Sequence, residues 1–131
     1  KKERRAFARI ERRDLIKVKT YTFPEKGSYE QARIIDLSAG GLQIQSSHYF
    51  SPGTVLKIEM NFTGWQRYTH GFLKYFGSAA ERPLVVLAEV VRCEMETPGK
   101  QYRVAVRFTG IDQNHRQALI KFIKAEILSK K

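Results

Sequence analysis

Arg5 and Arg9 stand four residues apart in the opening stretch Glu3-Arg4-Arg5-Ala6-Phe7-Ala8-Arg9. The planar guanidinium fork pairs with two acceptors at once, which suits phosphate oxygens and the O6/N7 edge of guanine better than a lysine point charge does. The spacing alone is weak: twelve arginines in 131 residues give about one such pair by chance, and Arg9/Arg13 and Arg103/Arg107 share it. A second pattern is Asp36-x-Ser38-x-x-Gly41, and with three Asp, seven Ser and nine Gly in the chain it arises by chance roughly once in a hundred. Asp36 offers an acceptor to N–H donors, Ser38 a hydroxyl, and the Gly40-Gly41 pair a backbone that a ligand can approach closely. The plainer reading is a β-turn in which Asp36 and Ser38 bond backbone amides and the glycines bend the chain by adopting positive φ.

Charge concentrates where the first pattern lies. The chain carries 24 Lys and Arg against 13 Asp and Glu, a formal net charge of +11. Residues 1–19 hold nine basic groups (Lys1, Lys2, Arg4, Arg5, Arg9, Arg12, Arg13, Lys17, Lys19) and three acidic ones, Glu3, Glu11 and Asp14. Such a block is either a solvated face or an anion-binding arm for a nucleotide, a nucleic acid or a lipid headgroup. The lipid reading is the weakest, because the large apolar residues here are few: Phe7, Ile10, Leu15 and Ile16.

Elements that position these groups follow from periodicity. Alternation predicts strands over Ile16–Thr20, Gln31–Leu37, Leu42–Gln45, Thr54–Phe62, Leu84–Met95 and Tyr102–Phe108, with turns at Pro24–Gly27, Ser38–Gly41, Ser51–Gly53 and Thr97–Gly99. Arg103 and Arg107 then share an outer strand face, opposite Val104, Val106 and Phe108. Leu119, Ile120, Ile123 and Ile127 fall at helical spacing with Lys121 and Lys124 turned away, and Asp112 or Asn114 can cap the start. The expected fold is mainly β: a small antiparallel barrel of about six strands with a C-terminal helix over 112–129. One domain spans 1–131, with a flexible arginine-rich arm over 1–13 and an insertion over 63–82. The insertion carries Trp65, Tyr68, Phe72, Tyr75 and Phe76. These aromatics pack on the core or form a ligand lid or partner surface, the first being the commoner use.

Other chemistries find little support. The hydrophobic share of 42% and charged share of 28% are those of a globular chain. The longest apolar stretch, Pro83–Ala88, is too short to cross a membrane. No secretory leader opens the chain, and the single Cys93 forms no internal disulfide, so a cytoplasmic location is expected and Asn61-Phe62-Thr63 is an accident as a glycosylation triplet. His48, His70 and His115 show no metal-ligand spacing with one another or with Cys93, and no Gly-x-Ser-x-Gly elbow or phosphate-cradling P-loop occurs. Neither an enzyme nor a bound cofactor or metal is expected.

Taken together and in this order, the motifs resemble those of the PilZ domain, the bacterial receptor module for cyclic diguanylate (c-di-GMP). Glu3–Arg9 looks like the family's arginine motif, and Asp36-Leu37-Ser38-Ala39-Gly40-Gly41-Leu42 like its [D/N]-x-S-x-x-G motif. Glu89–Arg92 and Val104–Phe108 also resemble family strands, so the likeness covers nearly the whole chain. Residues 63–82 depart from it, and Ala88 and Arg103 stand where glycines are common. The resemblance implies a non-enzymatic receptor that binds one or two c-di-GMP molecules through Arg4, Arg5, Arg9, Asp36, Ser38, Gly40 and Gly41. Arg4 would serve a second, stacked ligand. Binding would order the arm across the barrel and so control a protein partner or flanking domain. The alternative is a nucleic-acid-binding small barrel that uses the same basic arm for phosphates and Trp65, Tyr68 or Phe72 for base stacking.

Overall fold

The computed structural model describes residues 7–62, 65–68 and 83–129. Seven strands and one long helix are seen among them: β1 (Arg9–Glu11), β2 (Leu15–Thr20), β3 (Glu30–Ser38), β4 (Gly41–Ser46), β5 (Val55–Met60), β6 (Leu84–Thr97), β7 (Gln101–Gly110) and α1 (Gln113–Ser129). All pairings are antiparallel, and β3-β2-β5-β6-β7-β4 closes on itself through the β3–β4 ladder. This is the six-stranded barrel with a C-terminal helix that the alternation predicts.

Closure follows from the apolar pattern, because a sheet with one apolar face must bury it and a closed sheet has no free edges. Ile16 and Val18, Leu42 and Ile44, Leu56, Ile58 and Met60, and Val104, Val106 and Phe108 all point inward and are buried. Helix α1 packs on the barrel with Ala118, Leu119, Phe122 and Ile123 buried. Phe122 stacks on Phe62, ring centroids 5.5 Å apart. Helical spacing singles out Ile120 instead, which is only half-buried. The buried stripe runs through Ala118, Leu119, Phe122 and Ile123 at i, i+3 and i+4 spacing, with the Phe122 ring against Phe62 and Tyr68. Asp112 caps the helix: its Oδ1 accepts the N–H of Asn114 (2.8 Å) and His115 (3.2 Å).

The segment expected as a free arm over 1–13 includes β1, which is laddered onto β3 with Arg9 opposite Ser38, Ile10 opposite Leu37 and Glu11 opposite Asp36. Ile10 is buried and anchors this short strand. Strands β1 and β2 flank the same side of β3, separated by Arg12–Asp14. There the Arg12 N–H donates to the Ile35 carbonyl (3.1 Å) and the Ile34 N–H to the Asp14 carbonyl (2.9 Å). Of the aromatic segment, Trp65 and Tyr68 lie in a short 3-10 turn against α1, Trp65 being fully buried. Phe72, Tyr75 and Phe76 lie outside the described residues. No described helix is long and apolar enough to cross a membrane.

Candidate ligand groove

Asp36 would face the barrel interior if β3 alternated regularly, since Ala32 and Ile34 point inward. It does not, because the β3–β4 register slips between Ile34 and Asp36: Ile34 pairs with Ile44, and Asp36 already with Gln43. This bulge leaves Ile35 unpaired in the β3–β4 ladder, turns Asp36 outward and returns Leu37 to the core. Strand β6 repeats the device. Val90 pairs with Val106 and Arg92 with Ala105, so Val91 is extra and both Val91 and Arg92 face outward. Between the two bulged strands run β4 and β7. The pairings Glu11–Asp36, Asp36–Gln43, Gln43–Ala105 and Ala105–Arg92 form one row across five strands.

A cavity of about 220 Å³ lies along this row. Five residues anticipated from sequence line it: Arg9, Asp36, Ser38, Gly40 and Gly41. Arg4 and Arg5 lie outside the described residues. Sequence reading missed Gln43, Val91, Arg92 and Ala105, which also line it. The signal for them was present: doubled β-branched residues followed by a charge, Ile34-Ile35-Asp36 and Val90-Val91-Arg92, mark both bulges.

The two members of the Asp-Ser pair do different things. The Ser38 hydroxyl accepts the N–H groups of Gly40 (3.1 Å) and Gly41 (3.2 Å) and donates to the Gly41 carbonyl (3.3 Å), so it holds the turn. Asp36 bonds no turn amide. Its Oδ2 accepts from Gln43 Nε2 at 3.3 Å and lies 3.8 Å from the Arg9 guanidinium, a loose pair with the Arg9 side chain 38% exposed. Among the described residues the buried Gln43 Oε1 atom has no hydrogen-bond partner.

Gly40 and Gly41 are required for close approach rather than for positive φ, which among described residues occurs only at Gly27, Gly53 and Gly99. A Cβ on Gly41 would sit 2.2 Å from the Val106 carbonyl oxygen on the neighbouring strand. A Cβ on Gly40 would sit 2.9 Å from the Phe7 ring. The expected bend by positive φ is therefore corrected: the space beside the backbone is what only glycine fits. Phe7 is itself held by Arg116 of α1, whose guanidinium lies 5.7 Å from the ring centroid and donates to the Ala39 carbonyl at 3.0 Å.

Several other described cations are committed elsewhere. Arg103 pairs with Glu96 at 2.9 Å and Arg107 with Glu89, the charged outer face expected for them. Arg12 bonds Asp14 at 2.6 and 3.0 Å and Glu126 at 3.1 Å, and it lies over the rings of Phe62 and Phe122 at 5.2 and 5.4 Å. Its hydrogen bonds with Asp14 raise the guanidinium above its ordinary pKa. Among the described residues no group of three His, Cys, Asp or Glu side chains is placed to hold a metal ion.

A closed barrel of this order, a C-terminal helix and a polar groove at the β3–β4 turn are the features of this domain. The PilZ domain family model matches residues 3–125, and the chain belongs to that family. Similar solved structures agree in fold. MotI/DgrA, the inhibitor of motility of Bacillus subtilis, superposes with a TM-score of 0.74 at 15% identity, over 98% of this chain and 54% of that one. MrkH of K. pneumonia in complex with c-di-GMP gives 0.67 at 13% identity, over 98% and 54%. The PilZ domain of YcgR from Escherichia coli with c-di-GMP gives 0.58 at 18% identity, over 98% and 97%. The chain thus spans about half the length of the MotI and MrkH chains. No curated protein sequence matches it.

Proposed function

We propose that this chain is a non-enzymatic receptor domain for c-di-GMP, which it takes into the groove at the β3–β4 turn. The observation that carries the reading is that Arg9, Asp36 and the Ser38-Gly41 turn, apart in sequence, line one polar groove. The ligand has two phosphates and two guanines. Arg9 supplies the fork for a phosphate or an O6/N7 edge, and Asp36 the acceptor for the guanine N1–H and N2–H donors. Their mutual ion pair is long enough to exchange for ligand contacts at small cost. Ser38 shapes the turn, and Gly40 and Gly41 let the Phe7 ring and the Val106 carbonyl close against it, which fixes its position at the groove.

The cavity is smaller than the roughly 300–1,000 Å³ of a site that encloses a small ligand. The rest of the enclosure falls to the cationic residues before Phe7, with Arg5 on the first ligand and Arg4 on a second, stacked one. Phe7 touches both the turn and Arg116 of α1, so a ligand that closes the arm over the groove has a direct mechanical link to the helix. That link is the proposed route to a protein partner or flanking domain.

Nucleic-acid binding is less well supported, since Trp65 is buried and Tyr68 packs edge-on against Phe122, so neither is free to stack bases. Calorimetric titration with c-di-GMP, GMP, cyclic di-AMP and short single-stranded DNA tests the choice. Only c-di-GMP is expected to bind tightly, and Arg9→Ala is expected to lose about ten- to hundred-fold in affinity through one charge-assisted contact. Undiminished binding by Arg9→Ala, or a preference for DNA, refutes the proposal.

A further inference from the structure

The groove continues past the Asp36 corner. From Asp36 the row crosses Gln43 and Ala105 to Arg92, three interstrand steps or about 14 Å at the usual spacing. Its chemistry changes along the way. Ala105 is a short side chain between two long polar neighbours, so it forms a floor rather than a wall. Gln43 gives Nε2 to Asp36 and keeps a buried Oε1 with no donor among the described residues. Arg92 is half-exposed and among the described residues has only a 3.9 Å contact with the exposed Glu94, whereas its neighbours on the outer face, Arg103 and Arg107, are closely paired. The β6 bulge is what presents it: in a regular ladder Val91 would oppose Ala105, and Arg92 would oppose Val104 and turn toward the core.

We propose that Arg92 is a second anchor of the site, taking the half of the cyclic dinucleotide distal to Arg9 and Asp36, with Ala105 as the floor beneath it. The inference rests on the function proposed above and deepens it: two cationic anchors, Arg9 and Arg92, at opposite ends of one groove select a ligand with two phosphates and two bases over a mononucleotide. An arginine fork at the far end takes a guanine edge or a phosphate in the same geometry as at the near end.

The test is calorimetric titration of c-di-GMP into the wild-type chain, Arg92→Ala, Arg103→Ala and Ala105→Met, with melting temperatures to show each is folded. Arg92→Ala is expected to weaken binding about ten- to hundred-fold. Arg103→Ala removes the same charge outside the cavity and is expected to stay within about twofold, since exposed charges at that distance are screened. Ala105→Met fills the floor and is expected to lose binding while remaining folded. Wild-type affinity in Arg92→Ala overturns the inference, and so does an equal loss in Arg92→Ala and Arg103→Ala, which would mark general attraction rather than contact. A folded wild-type chain that does not bind c-di-GMP overturns the underlying function itself, a result distinct from either.

Discussion

Arg9 and Arg12 are three residues apart in the same basic segment, yet they occupy opposite kinds of surroundings. Around Arg12 the partners are close: two carboxylates bond its guanidinium through three hydrogen bonds, and it lies against the stacked pair Phe62 and Phe122. Around Arg9 the pairing is loose and the cavity is open. The contrast separates charge that holds the fold from charge left available to a ligand. Net charge alone does not distinguish them, because both contribute equally to the +11.

The sharpest way to break this comparison is Arg12→Ala. The variant leaves Asp14 and Glu126 facing each other near the barrel–helix junction without their cation and strips a contact from Phe62 and Phe122. Breaking a fully buried pair costs about 3–5 kcal/mol. With 19% of the Arg12 side chain exposed, solvent screening brings the expected loss to about 2–3 kcal/mol. Urea denaturation reads it, and c-di-GMP affinity at low temperature, where the variant is folded, should stay close to wild type. A stable Arg12→Ala chain that no longer binds would reverse the assignment of the two arginines.

Gly41→Ala probes where the open side meets the frame. The added methyl collides with the Val106 carbonyl oxygen, part of the backbone and unable to swing aside. The β4–β7 ladder must spread, at about 1–3 kcal/mol for overpacking, and the cavity changes shape with it. Both stability and affinity are expected to fall together in Gly41→Ala, unlike in Arg9→Ala, which alters affinity alone. A stable Gly41→Ala chain with normal affinity would show that the close approach is dispensable.

Much of this was legible in the residues themselves. Strict alternation in Leu42–Gln45 and Val104–Phe108 marks strands whose inward positions are indeed buried. Asp112 reads as a cap because few other jobs suit an Asp before an apolar helical repeat. What sequence hides is non-local pairing. A bulge is one extra residue counted against a partner strand, so Asp36 and Arg92 turn outward only by reference to Gln43 and Ala105. The need for glycine at 41 comes from a carbonyl 65 positions later in the chain. Likewise the division of labour between Arg9 and Arg12 depends on where α1 brings Glu126.

A third region sharpens the contrast by lying between its extremes. Glu25 accepts from Lys57 (2.7 Å) and Lys19 (2.9 Å), at the surface rather than at the barrel–helix junction. The hydrogen bond from Lys57, followed by that from Lys19, lowers the Glu25 pKa below its ordinary value. A carboxyl with a depressed folded-state pKa stabilises the protein fully above its unfolded value and loses that contribution as pH falls through the folded one. Comparing thermal unfolding of the wild type and Glu25→Gln therefore predicts a small gap at neutral pH that closes in strong acid, where Glu25 is protonated in both states. Solvent screening keeps the gap smaller than the Arg12 effect. A gap that persisted unchanged into acid would mean that Glu25 acts through packing or a neutral hydrogen bond, and that saturation by close ion pairs is confined to the junction where Arg12 sits.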